Sequence, residues 1–152
     1  MPAAENEQLV RSYFSDISAD YYSEDAELHD MSQAQPLRGR EAIRGFLTMY
    51  LEEAFPEGAY QVNRVIADAD GAAAEWTFRG LNQGPLMGVD ATHRSVEFSG
   101  VSVYQIRDGR FTSARIYYDS GTLADQLGVL GQRLPRSERE HWQDWWTARF
   151  TK

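Results

Sequence analysis

Apolar residues recur at helical spacing in the first third of the chain and at alternate positions after that. Leu9, Val10, Tyr13, Phe14 and Ile17 share one helical face. Glu5 and Glu7 stand near the start of that helix, where its dipole favours acids. Ile43, Phe46, Leu47, Tyr50 and Leu51 make a second face. They predict a helix from Arg40 to about Ala54, ended by Pro56 and Gly58. Between the two, "SADYYSEDAELHD" (Ser18 to Asp30) reads as a turn and a short irregular segment.

From Tyr60 onward the period changes to two. Tyr60 to Ala67 and Ala72 to Gly80 read as strands with "DADG" as the turn between them. "LNQGPLMGVDATHR" is a long loop. Ser95 to Ile106 and Phe111 to Asp119 read as two further strands joined at Asp108-Gly109. Short helices follow in "TLADQLGVL" and in "SEREHWQDWWTARF", the latter opening with a Ser137 to Glu140 capping box. Helices first and an antiparallel meander afterwards make an α+β domain. Long strands carrying Gly80 and Gly100 predict a strongly curved sheet. Wrapped around two helices, such a sheet leaves a conical cavity.

The composition narrows the chemistry. The chain of 152 residues suggests one domain with a sizeable core. A formal net charge of −8 disfavours nucleic acid as a partner. No apolar run is long enough to span a bilayer, and the N-terminus does not read as a secretory leader. The lack of cysteine excludes disulfides and thiol chemistry and fits a cytoplasmic protein. His29 and Asp30 have no second paired histidine or carboxylate triad, so no metal is expected. No phosphate-binding loop, dinucleotide fingerprint or serine elbow is present, and no cofactor is expected.

Several pieces in order resemble the SnoaL-like polyketide cyclase and ester cyclase group of the nuclear transport factor 2-like superfamily. They are "AELHD", "GREAI", "AFPE", "AAEWTFRG", "GPLMG", "VYQIRDGRF" and "YYDSGTLADQLG", spread over roughly residues 9 to 130. The resemblance implies a cone-shaped fold over residues 1–133, with the Trp-rich segment 134–152 packing on the domain or on a dimer partner. It also implies a homodimer. In such cyclases an aspartate at the end of the last strand is the acid/base, which here is Asp119. A His and a Gln on the neighbouring strand face it. The corresponding positions here are Gln105 and Val103, so the histidine is missing.

The implied activity is cofactor-independent acid/base chemistry on a hydrophobic, oxygenated metabolite. A cyclase closing a ring by intramolecular aldol addition leads. An isomerase, dehydratase or epoxide hydrolase of the same fold, or a ligand-binding module without chemistry, are the alternatives. Epoxide opening by an Asp-Arg-Asp set finds only a partial match in Arg79 and Glu75.

Asp119 has two readings, a helix N-cap before Ser120-Gly121 or the general base. The hairpin register bears on which. A two-residue Asp108-Gly109 turn puts Phe98 opposite Asp119, whereas a three-residue loop with a glycine bulge puts Glu97 there. The bulged register is the expected one, because it places Gln105 on the Asp119 face. His29 is the second candidate acid, or equally a loop histidine bound to backbone. Trp76, Tyr13, Tyr50, Tyr117 and Gln105 are candidate substrate contacts, with plain packing as the alternative for the aromatic ones. Trp142, Trp145, Trp146, Arg149 and Phe150 share a face of the C-terminal helix.

Overall fold

One six-stranded sheet with helices against it forms the protein in the computed structural model, which describes residues 2–129. Helix α1 covers Pro2–Ser15 and α2 covers Arg40–Thr48. Strands follow as β1 (Tyr22–Asp30), β2 (Leu37–Arg38), β3 (Ala59–Ala67), β4 (Gly71–Leu81), β5 (Ser95–Arg107) and β6 (Arg110–Tyr118). Helix α3, Ser120–Leu127, closes the described chain. The strand order is β2-β1-β6-β5-β4-β3. All pairs are antiparallel except β1 with β6, which run parallel. The Trp-rich segment expected to pack on the domain lies outside the described residues.

Alternation decides which face is which. Ala72, Ala74, Trp76 and Phe78 on β4 point inward, as do Val96, Phe98, Ser102, Tyr104 and Ile106 on β5. Residues of the opposite parity, such as Glu75, Arg79, Glu97 and Gln105, are exposed. Val10, Tyr13 and Ile43 from the helices complete the inner layer with Phe111, Leu28 and Tyr104. Gly100 has a packing reason. A Cβ there would stand 2.7 Å from the Trp76 ring and 2.5 Å from the Tyr117 carbonyl. Its bare backbone lets the indole lie across β5.

Three local readings need correction. First, Ser18 to Asp30 is not irregular. After a 3₁₀ turn at Ala19–Tyr21, β1 is a nine-residue strand. Its acid-rich outer positions masked an inward set of Tyr22, Ala26, Leu28 and Asp30, and a register shift between Tyr22 and Glu27 broke the alternation. Second, the helix from Arg40 keeps α geometry only to Thr48 and ends as a π-helix, Met49–Ala54. The Phe55 amide reaches back to the Tyr50 carbonyl at 3.0 Å, five residues away.

Third, the favoured three-residue loop does not occur, and although the two-residue turn does, Asp119 meets neither Phe98 nor Glu97. Asp108 and Gly109 form a two-residue turn, both with positive φ (52° and 73°), as the right-handed strand twist favours. The irregularity lies further on. Ile106 pairs with Phe111 and Gln105 with Ser113, so Thr112 is an extra residue bulged out of β6. The bulge shifts every later β6 residue by one. Asp119 therefore meets Ser99, through its amide and the Ser99 carbonyl at 3.1 Å, rather than Phe98 or Glu97. Because the side-chain period is two, the same shift turns Ala114, Ile116 and Tyr118 inward and leaves Tyr117 outside.

Candidate active site

A narrow cavity of about 50 Å³ lies between the helices and the inner face of the sheet. Tyr13, Phe14 and Ile17 of α1 and Phe46 and Leu47 of α2 form one side. The π-helix adds Tyr50 and Leu51. Tyr60, Trp76, Phe98, Ser102, Tyr104, Ile116 and Tyr118 make the sheet side, with Leu123 of α3 and Met87 of the long loop at its border. The loop is fastened at its base by Asn82, which is 1% exposed. The Asn82 side-chain amide donates to the Ala54 and Gly84 carbonyls, and its oxygen accepts from the Thr92 amide and hydroxyl. Its tip is tied across to the β1–β2 connection, where the Gln33 amide nitrogen donates to the Met87 sulfur at 3.4 Å.

One carboxylate lines this wall among the described residues, that of Asp30. Strand geometry puts it there. Asp30 continues the inward parity of Ala26 and Leu28, pairs with Ile116 on β6, and has Tyr118 diagonally beside it on the same face. Asp30 is 7% exposed. Its Oδ1 accepts from the Ser32 amide at 2.9 Å and the Ser32 hydroxyl at 2.6 Å, closing an Asx turn. Its Oδ2 accepts from the Tyr118 hydroxyl at 3.1 Å. The Ser32 and Tyr118 oxygens are themselves 2.9 Å apart. Two hydroxyl hydrogens thus have three places to go, and a proton arriving at Asp30 can be accommodated by turning a hydroxyl.

The surrounding hydroxyls stay protonated. Burial pushes Tyr118 up to about 12. Burial, and then neighbouring tyrosines, raises Tyr50 well above its ordinary value, with Tyr118 and the Asp30 charge adding to it. Tyr60 is raised for the same first reason and hydrogen bonds to Tyr50. Further along the wall the Trp76 indole N–H donates to Ser102 Oγ at 2.9 Å. Tyr13 and Tyr22 share a hydrogen bond of 2.8 Å. Among the described residues, no buried side-chain nitrogen or oxygen lacks a partner, and no group of three or more His, Asp or Glu could hold a metal ion.

Residues 6–127 match the family model for SnoaL-like polyketide cyclase. The chain belongs to the SnoaL-like polyketide cyclase family. Solved structures similar to this one share its fold. A proposed SnoaL-like polyketide cyclase from Jannaschia sp. CCS1 superposes with a TM-score of 0.75 at 20% identity, over 82% of this chain and 92% of that one. TsrD from Streptomyces laurentii gives 0.70 at 21% identity, over 83% and 96%. An LEH-like epoxide hydrolase from M. tuberculosis gives 0.64 at 18% identity, over 84% and 92%. No curated protein matches the chain.

Against this SnoaL-like frame the expected site residues divide. Tyr13, Tyr50 and Trp76 line the cavity. Asp119, His29, Gln105 and Tyr117 do not. Asp119 is the N-cap of α3 and is exposed. Its Oδ1 accepts from the Thr122 amide at 3.0 Å and its Oδ2 from the Thr122 hydroxyl, which together hold the carboxyl below the usual aspartate value. His29 has the outward parity of β1, and its Nε2 hydrogen bonds to the Gln33 carbonyl at 2.9 Å. Gln105 is exposed on the outer face of β5, and Tyr117 is 44% exposed on that of β6. Arg79 also faces out, paired with Glu97 at 2.7 Å, and Glu75 is exposed. Sequence reasoning missed Asp30, Tyr118, Tyr60 and Ser102. A signal for Asp30 was present: in "AELHD", strand parity groups Asp30, not His29, with Ala26 and Leu28.

Proposed function

We propose that this SnoaL-like chain is a cofactor-independent acid/base enzyme acting on a hydrophobic, oxygenated metabolite, with Asp30 rather than Asp119 as the general base. The observation that carries the reading is the placement of Asp30: a carboxylate in an otherwise apolar, aromatic cavity, with Oδ2 beside a protonated Tyr118. Oδ2 removes a proton from the carbon α to a carbonyl. The electron pair moves onto the carbonyl oxygen, and the Tyr118 and Tyr50 hydroxyls stabilise it there by hydrogen bonding. In a cyclase the enolate carbon then attacks a second carbonyl of the same molecule. The resulting alkoxide takes the proton back from Asp30, so the ring closes with no net gain or loss of atoms. The walls hold the reacting carbons together, which is worth about 7–11 kcal/mol in well-oriented intramolecular reactions. Isomerisation uses the same first step. Epoxide opening is disfavoured, since Arg79 and Glu75 face away from the cavity.

A homodimer belongs to the same proposal. The outer strip of Ile66, Ala73 and Val103, adjoining Val101 and Tyr117, offers apolar sheet surface for it.

The test is incorporation of solvent deuterium at the α-carbon of a single-ring aryl methyl ketone. Wild type should accelerate exchange, and Asp30→Asn should lower it by about 10²–10⁴-fold while keeping the fold. Undiminished exchange in a folded Asp30→Asn protein would overturn the assignment.

A further inference from the structure

The hydrogen bonds around Asp30 close on themselves. Asp30 Oδ2 meets the Tyr118 hydroxyl at 3.1 Å, that hydroxyl meets Ser32 Oγ at 2.9 Å, and Ser32 Oγ meets Asp30 Oδ1 at 2.6 Å. Three contacts thus link the two carboxylate oxygens into a ring. While Asp30 is ionised, Ser32 donates to Oδ1 and Tyr118 to Oδ2, and the third contact carries no hydrogen. A proton added at Oδ2 supplies one hydrogen for every contact, and the filled ring can then run in either sense. Its members differ in their access to water. Asp30 is 7% exposed and Tyr118 is half-buried, whereas Ser32 stands in the exposed turn after β1. The Ser32 amide also donates to Oδ1, and the Gln33 side-chain amide donates to Ser32 Oγ at 3.2 Å. The backbone therefore already holds this turn against the carboxylate, which leaves the Ser32 hydroxyl for another task.

We propose that Ser32 is the proton port of the site, exchanging with solvent the proton that Asp30 collects, so that water need not enter the cavity. In one concerted step the Oδ2 hydrogen passes to the Tyr118 oxygen, the Tyr118 hydrogen to Ser32 Oγ, and the Ser32 hydrogen to Oδ1. Three O–H bonds break and three form, and no charge is separated. Tyr50 holds the oxyanion meanwhile. The proton now on Oδ1 lies against Ser32, where water exchanges it. Ser32 acts through Asp30 and Tyr118 rather than on substrate, which makes it a positioning residue. This deepens the acid/base reading and rests on it for the source of the proton. The ring itself follows from the three contacts alone.

The first test needs no ligand. Protein carrying carbon-13 at tyrosine Cζ is placed in mixed light and heavy water, where the isotope shift of the Tyr118 signal reports exchange of its hydroxyl hydrogen. Ser32→Ala keeps the amide bond to Oδ1 and should slow that exchange by about tenfold or more, and Ser32→Thr should restore it. Unchanged or faster exchange in Ser32→Ala would overturn the proposal, since loss of a merely structural contact loosens the turn and admits water. A second arm follows washout of deuterium from the methyl group of a labelled single-ring aryl methyl ketone. Without the port the abstracted deuteron returns to carbon, so washout by Ser32→Ala should fall in kcat at constant KM, and its primary isotope effect should shrink. Slowed Tyr118 exchange with no washout even by wild type would retain the port and remove the Asp30 base. Washout by Ser32→Ala at the wild-type rate and isotope effect would overturn the port and leave the base standing.

Discussion

Two neighbouring strands end in an aspartate, and the two ends have become different places. β1 and β6 run parallel, so Asp30 and Asp119 emerge at the same end of the sheet. Asp30 points inward, is almost fully buried, and shares its carboxylate between a turn and a cavity hydroxyl. Asp119 points outward and gives both oxygens to Thr122, starting α3. The residue type is the same, and so is the strand end. Parity decides the rest. On β6 parity is set by a single bulged residue, Thr112, without which the inward set would be Tyr117 and Asp119 in place of Tyr118.

The comparison can be broken most sharply at the two carboxylates. Asp30→Asn should reduce α-exchange by about 10²–10⁴-fold, and Asp119→Asn should leave it within a factor of a few. Equal losses would erase the distinction. Next in size is Tyr118→Phe, which removes a donor beside Oδ2 and should slow the reaction about 10²-fold. The ketone's binding should hardly change, so the loss should appear in kcat rather than KM.

The inner side also has a pH signature. Tyr13, Tyr22, Tyr50, Tyr60, Tyr104 and Tyr118 are all held above the ordinary tyrosine value of 10.0, first by burial. The folded state therefore keeps protons that the unfolded chain releases. The stabilisation is complete below about pH 10 and is lost as pH rises beyond it. Chemical denaturation from pH 8 to 11, with tyrosinate absorbance recorded alongside, should show falling stability and ionisation coincident with unfolding. On the outer side the sign reverses and the effect is smallest. The lowered Asp119 value means that its contribution is present above the normal aspartate range and disappears as pH falls through the folded value. Thermal melts should show Asp119→Ala modestly less stable than wild type at neutral pH, with the gap closing in acid.

Much of the architecture was legible because local rules and tertiary packing agree. The helical face from Leu9 to Phe14, the Asp-Gly hairpin and the alternation around Trp76 all appear where the sequence pattern puts them, while Ile17 falls beyond the end of α1. β1 was obscured because its inward residues include small Ala26 and charged Asp30, while five acids crowd "DYYSEDAELHD". The site was harder to read for a related reason. A β-bulge at Thr112 carries no strong residue signature, yet it exchanges the faces of everything after it. The resemblance led to Asp119 as the acid/base, and the turn chemistry of Asp-Ser-Gly offered the cap instead. Only the register separates them. Tyr60 and Ser102 were passed over because each reads as ordinary strand alternation until the cavity between sheet and helices is formed.

The most direct measurement is the carboxyl carbon resonance of both aspartates, recorded while acetophenone is added to the folded protein. The account predicts that the Asp30 signal moves in step with the Trp76 indole N–H and that the Asp119 signal stays still. Movement of Asp119 with Asp30 unmoved would contradict it, and would return the base to the end of β6.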